Sequence, residues 1–174
     1  GLAPDALDDN TDFIPDDYEI PSTSSYMKLE TGENKFRALS SIVTGYEYWT
    51  TANKPVRSRT PFEDTPNAKI EKNGKIKVNH FWGFLVYNYK AKDVQILQIS
   101  QKSIMKYIKE LAANPEWGNP KKYDITIKKS GANLETEYAV IANPPKPVTD
   151  DIKEKLEKSK LSPDDLFEEV DNNF

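Results

Sequence analysis

From Val78 to Tyr89 the chain runs for 12 residues without a charge, and Phe81, Trp82, Phe84, Tyr87 and Tyr89 all fall inside that run. A membrane-spanning helix needs roughly 20 apolar residues, so the run is too short to be one. It reads instead as a long strand, Lys77 to Lys90, that turns through Lys90-Ala91-Lys92 into a second strand, Asp93 to Ile99. Successive side chains of a strand point to opposite faces. Phe81, Leu85, Tyr87 and Tyr89 therefore share one face, and Trp82, Phe84 and Val86 the other. One set is expected to fill a core and the other to meet solvent or ligand; the pattern does not say which.

The remaining segments agree with a sheet protein. Tyr26 to Leu29 and Lys35 to Leu39 are β-type segments separated by the turn signal Thr31-Gly32-Glu33-Asn34, and Ile42 to Thr50 follows, rich in β-branched and aromatic residues. Residues 52 to 75 hold three prolines and Asn73-Gly74, the composition of a long loop closed by a tight turn. Ser100 to Ala113 has helical spacing, with Ile104, Ile108 and Leu111 one above another and Asn114-Pro115 as the stop. Tyr123 to Lys129 and Glu135 to Ala142 make a last hairpin about Gly131. The expected fold is an all-β barrel with one or two helices. Its order, three strands with the first interrupted, a helix and two more strands, is that of a five-stranded OB-fold with the helix between strands 3 and 4.

Charge divides the chain into four parts. Residues 1 to 21 carry seven carboxylates and no Lys or Arg, and are expected to be an acidic flexible leader. Residues 22 to 148, the expected barrel, hold 20 Lys and Arg against 12 Asp and Glu. Residues 149 to 160 read as a short charged helix with Ile152 and Leu156 on one side, after the stiff segment Asn143 to Pro147. Residues 161 to 174 carry Asp164, Asp165, Glu168, Glu169 and Asp171 with no base and end on Phe174, and are expected to be an acidic flexible tail. A basic middle between acidic ends suits reversible binding of a polyanion that the chain's own ends imitate.

Several chemistries are excluded or disfavoured. Without Cys there is no disulfide, thiolate nucleophile or cysteine zinc site, and the single His80 cannot by itself make a His-based metal site. His80 reads as a strand residue with a satisfied ring. No phosphate-cradling glycine loop or hydrolase motif is present. No catalysis, cofactor or metal is expected, and the chain reads as soluble and cytoplasmic. What remains is stacking of bases on rings and neutralisation of phosphates by cations. The candidates are Tyr46, Tyr48 and Trp49, which run into Lys54, Arg57 and Arg59, and Trp82, Phe84, Tyr87 and Tyr89, flanked by Lys77 and Lys90.

Tyr26-Met27-Lys28-Leu29 with Gly32, Asn34 and Phe36-Arg37, then Lys54 to Arg59, His80-Phe81-Trp82, Val86 to Tyr89, Gln98 to Ile104, Trp117 to Pro120, Tyr123 to Thr126 and Pro144 to Pro147 form a joint pattern. It resembles the bacteriophage-type single-stranded DNA-binding, or helix-destabilising, proteins over roughly residues 26 to 148. That resemblance implies an OB-fold that coats single strands during phage or prophage replication, recombination and repair, in the host cytoplasm at the nucleoid. It extends to the acidic end with its final Phe, which implies recruitment of replication or recombination proteins. Two features depart from the family: the zinc site of some members is impossible here, and the acidic residues 1 to 21 do not match the basic arm that others use for cooperative growth.

The expected mechanism is a basic groove that binds single-stranded DNA while the acidic tail, Asp164, Asp165, Glu168, Glu169, Asp171 and Phe174, competes for it and, once displaced, recruits partners. Two other classes are open at this point: an OB-fold protein-interaction module that uses the Pro-rich segments, and a metal-dependent nuclease.

Overall fold

The computed structural model describes residues 7–18 and 24–168. The chain forms β1 (Tyr26–Met27), β2 (Gly32–Ala38), β3 (Val43–Trp49), β4 (Pro55–Ser58), β5 (Asn79–Asn88), β6 (Asp93–Ile99), α1 (Lys102–Ala113), β7 (Asp124–Ser130), β8 (Glu137–Ala142) and α2 (Asp150–Ser159), followed by a 3₁₀ turn at Pro163–Phe167. The strands make one mixed sheet in the order β1-β6-β5-β2-β7-β8, with β3 paired to both β5 and β4. β1 is parallel to β6 and the other pairings are antiparallel. Among the described residues no ladder joins the edge strands β1 and β8, so the sheet is open.

Among the described residues this is a β-rich domain with two helices and eight strands, where the sequence suggested five. The expected interrupted first strand is β2 and β3, which pair with successive stretches of β5: residues 36–38 lie opposite 86–88, and 43–47 opposite 79–83. The expected β-type segment Tyr26 to Leu29 contributes the short β1, on the far edge of β6, and the strand not expected is β4, inside the long proline-bearing loop.

β5 is buried on both faces, which corrects the expectation that one face would meet solvent or ligand. Phe84 and Val86 join Phe36, Ile99, Ile104, Ile108, Tyr123, Ile125 and Ile127 in the main core, closed by the buried stripe of α1. On the opposite face Phe81 and Leu85 pack with Ile96 and Leu166, and Tyr87 packs with Val94 and Ile152. The second layer is supplied by the carboxyl-terminal region. Thr149 caps α2 by accepting from Ile152 N at 3.3 Å, with Asp150 and Asp151 placed favourably at the positive helix end.

The described part of the expected flexible tail is folded. Residues 161–168 fold onto the sheet through a capping box in which Ser162 Oγ accepts from Asp164 N at 3.2 Å and Ser162 N donates to Asp165 Oδ2 at 3.1 Å. The turn directs Leu166, 1% exposed, into the β5 face, and Phe167 against Phe81 with ring centroids 5.7 Å apart. Glycine makes that approach possible: a Cβ on Gly83 would overlap Leu166 Cδ1, and one on Gly45 would lie 2.8 Å from Phe167 Cε1. Glu169, Asp171 and Phe174 lie outside the described residues, as do residues 1–6 and 19–21 of the leader. Residues 7–18 are exposed throughout, with local hydrogen bonds such as Tyr18 N to Pro15 O at 3.0 Å and Asn10 N to Asp8 Oδ1 at 2.9 Å.

A buried ionic clamp ties the sheet to the Pro-rich segment. Asp124 is fully buried; its Oδ1 accepts from Tyr89 Oη at 2.8 Å and faces Arg37 Nη1 at 3.4 Å. Its Oδ2 has no aligned hydrogen bond, but Lys146 Nζ at 3.1 Å and Lys35 Nζ at 3.8 Å supply positive charge. Arg37 in turn donates to the carbonyls of Lys121 and Lys146. Burial, together with the Asp124 carboxylate that accepts its proton, pushes the Tyr89 phenol well above its ordinary value. The folded chain thus holds this proton to higher pH than the unfolded chain does. The stabilisation is complete below about pH 10, the free phenol value, and is lost as pH rises beyond it. Urea midpoints between pH 8 and 11 should fall more gently for Tyr89→Phe than for the wild type; parallel curves would show that this phenol is not linked to folding.

Candidate functional site

Two grooves adjoin at Ser100, which lines both. The first, of about 280 Å³, lies between the β1 segment, the end of β3 and the β7–β8 hairpin. Trp49, 38% exposed, and Tyr138 give it rings, and Lys28 and Lys129 give it cations. Glu47 and Gln98 line it as well. The second groove, of about 630 Å³, lies between the long loop and the start of α1. Tyr46, Phe62 and His80 line it together with Lys77 and Lys102. Lys54 stands exposed in the β3–β4 turn, where its N–H donates to Thr50 Oγ1 at 3.2 Å, next to the strand end that carries Trp49.

The local sequence explains this arrangement. Tyr46 pairs across the ladder with His80, and their rings meet at 5.1 Å. His80 Nδ1 lies 2.9 Å from Gly45 O, a carbonyl that can only accept, so this nitrogen carries a proton. Tyr48 is buried, its hydroxyl donating to Pro66 O at 3.1 Å and its ring meeting Phe62 edge-on at 4.8 Å, which pins the long loop to the sheet. Lys129 is opposite Tyr138 in the β7–β8 register. Among the described residues Lys28, Lys54, Lys77, Lys102 and Lys129 make no ion pair.

The structure thus brings together Tyr46, Trp49, Lys54 and Lys77 from the expected set, keeps Arg57 in the lining of the first groove as a buried residue, and places the others elsewhere. Tyr48, Phe84 and Tyr87 are core residues, so they offer no ring face to a ligand. Trp82 is half-buried and lines a separate apolar cavity of about 400 Å³ with Phe36, Phe84 and Ile108. Tyr89 serves the Asp124 clamp, and Lys90 pairs with Glu30 at 2.6 Å on the surface. Arg57 is no exposed phosphate contact. Its side chain is 5% exposed, Nε donates to Glu47 Oε2 at 2.8 Å, and Nη1 donates to Leu166 O at 3.3 Å. Arg59 remains half-exposed but faces the folded acidic turn, 3.0 Å from Asp164 Oδ1 and 4.1 Å over the Phe167 ring. Of the expected tail, Asp165 is spent on the capping box and Glu168 is exposed.

Sequence reasoning missed Lys28, Lys102, Lys129, Phe62 and Tyr138. A signal existed for one of them. Lys129 shares the strand face of Ile125 and Ile127, so strict alternation carries that face out of the core and ends it on a cation. Phe62 and Lys102 had no such signal, because a loop fold and the seat of a helix end bring them to the groove.

Comparison with protein-family models, curated proteins and solved structures finds no match. Among the described residues no helix is long and apolar enough to cross a membrane.

Proposed function

We propose that the two adjoining grooves bind single-stranded DNA without regard to sequence motif, and that the domain is an OB-type barrel serving phage or prophage replication, recombination and repair. The observation that carries this reading is the set of five lysines without ion pairs beside grooves lined by Trp49, Tyr138, Tyr46 and His80. Cations in that position track a phosphate backbone, and rings accept bases of any identity. The barrel reading is supported by the run of β2 and β3 along one partner strand and by α1 between β6 and β7. The pairing of Arg59 with Asp164 supports competition between the acidic end and a polyanion. Partner recruitment by residues beyond Glu168 belongs to the same proposal, through the resemblance to the helix-destabilising proteins.

If the five lysines each meet one phosphate, the logarithm of affinity should fall with the logarithm of salt concentration at a slope of about −3.5. Lys77→Ala and Lys129→Ala should each flatten the slope by about 0.7. Trp49→Ala should weaken binding by about 1–3 kcal/mol at an unchanged slope. Quenching of tryptophan fluorescence by poly-dT, compared with a duplex of equal length, measures all of these. Equal quenching by duplex and single strand, or wild-type behaviour of all three variants, would refute the assignment.

A further inference from the structure

We infer that Glu47 and Gln98 make the floor of the first groove a base-reading pocket that favours nucleotides carrying an exocyclic amine. The inference rests on the single-strand binding proposed above and adds a preference to it.

A carboxylate in a groove meant for a polyanion needs an explanation, and the hydrogen bonds supply one. Glu47 Oε2 accepts from Arg57 Nε at 2.8 Å and from Gln98 Nε2 at 3.0 Å. The pair with Arg57 compensates the buried charge, since the Glu47 side chain is 7% exposed. It leaves Glu47 Oε1 over. Because the amide nitrogen of Gln98 is committed to the carboxylate, the oxygen of that amide is the atom left as well. Among the described residues no donor reaches either oxygen. Both side chains line the groove beside Arg57, whose guanidinium is engaged by Glu47 and by Leu166 O, so the Glu47 and Gln98 pair offers the groove two acceptors and no donor.

A phosphate finds no hydrogen-bond donor in that pair and is held instead by Lys28 and Lys129 at the sides. A base edge meets it in one of two ways. Cytosine and adenine offer an amine, which donates to the carboxylate in the manner of acidic side chains that read cytosine. Uracil and thymine turn a carbonyl toward it at the same ring position, leaving acceptor against acceptor. The pocket therefore discriminates by what it rejects as much as by what it binds.

The test compares the full chain binding oligo-dC and oligo-dU of equal length at pH 8 and moderate salt, by fluorescence anisotropy. The two bases differ at the position in question by amine against carbonyl. Wild type should bind oligo-dC about tenfold more tightly. Gln98→Leu, which leaves the Glu47–Arg57 pair in place, should bring the ratio to about threefold or less, and Glu47→Gln, whose amide can donate to a carbonyl, should erase or invert it. Should Glu47→Gln fail to fold, Gln98→Leu alone decides. Tight binding of both oligonucleotides with no preference would overturn the base-reading pocket and leave single-strand binding standing. A wild-type preference that neither variant changes would place the reader elsewhere, and no binding of either oligonucleotide would remove the underlying proposal itself.

Discussion

Leu166→Ala should lower the stability of the domain by about 2–5 kcal/mol, the usual cost of truncating a fully buried leucine. The side chain is 1% exposed and fills the space left by Gly83 among Phe81, Leu85 and Ile96. The turn that carries it lies at one end of the described chain and can peel away. Its docking free energy therefore caps the loss, and values near the lower end of the range are expected. Gly83→Val tests the same contact from the other side, since a side chain there takes the room Leu166 uses. Both variants should shift the urea midpoint and speed proteolysis after Lys158 or Lys160. An unchanged midpoint in both would mean that residues 161–168 do not dock in solution. Undocking has a functional corollary. It frees Arg59 from Asp164 and Phe167, so under the proposed function Leu166→Ala should steepen the salt slope for single-stranded DNA by about 0.7.

Asp124→Ala should be at least as damaging, about 3–5 kcal/mol, because it leaves the 2%-exposed Arg37 guanidinium without its counter-charge. It also strands the Tyr89 hydroxyl. The loss falls on the junction between β2, β7 and the Pro-rich segment, where Arg37 holds the carbonyls of Lys121 and Lys146. Asp124→Asn keeps an acceptor for Tyr89 and should recover part of the stability. Asp124 lines neither groove and sits at the opposite end of β7 from Lys129, so a folded Asp124→Asn protein should keep its affinity for poly-dT. Thermal unfolding of the three proteins decides; equal stability of Asp124→Ala and wild type would show the clamp to be energetically idle.

Local elements were legible wherever periodicity and punctuation agreed. Ile104 and Ile108, ended by Asn114-Pro115, marked α1 to within a turn. Ile152 and Leu156 on one side, after the Pro-rich segment, marked α2, and Lys90-Ala91-Lys92 marked the β5–β6 turn, with Lys92 in the left-handed region at φ 53°. The ligand-facing rings were legible only in part. Tyr46 and Trp49 line the grooves, whereas Tyr48, Phe84 and Tyr87 are interior. The alternation along β5 sorted its side chains into two faces correctly, but a strand cannot reveal whether a second layer covers its outer face. Arg57 and Arg59 failed for a related reason: their partners Glu47 and Asp164 stand 10 and 105 residues away.

By itself the sequence determined that this is a sheet-based domain, because residue order alone carries the period of two, the turn residues and the helical spacing of α1 and α2. It also determined a basic middle between acidic ends, since charge adds up along a chain however the chain folds. Tertiary structure decided which rings and cations are available to a ligand. Burial and ion pairing are made by groups distant in sequence, and here the folding of residues 149–168 over β5 converts an expected binding face into core and leaves the open cations beside the two grooves that meet at Ser100.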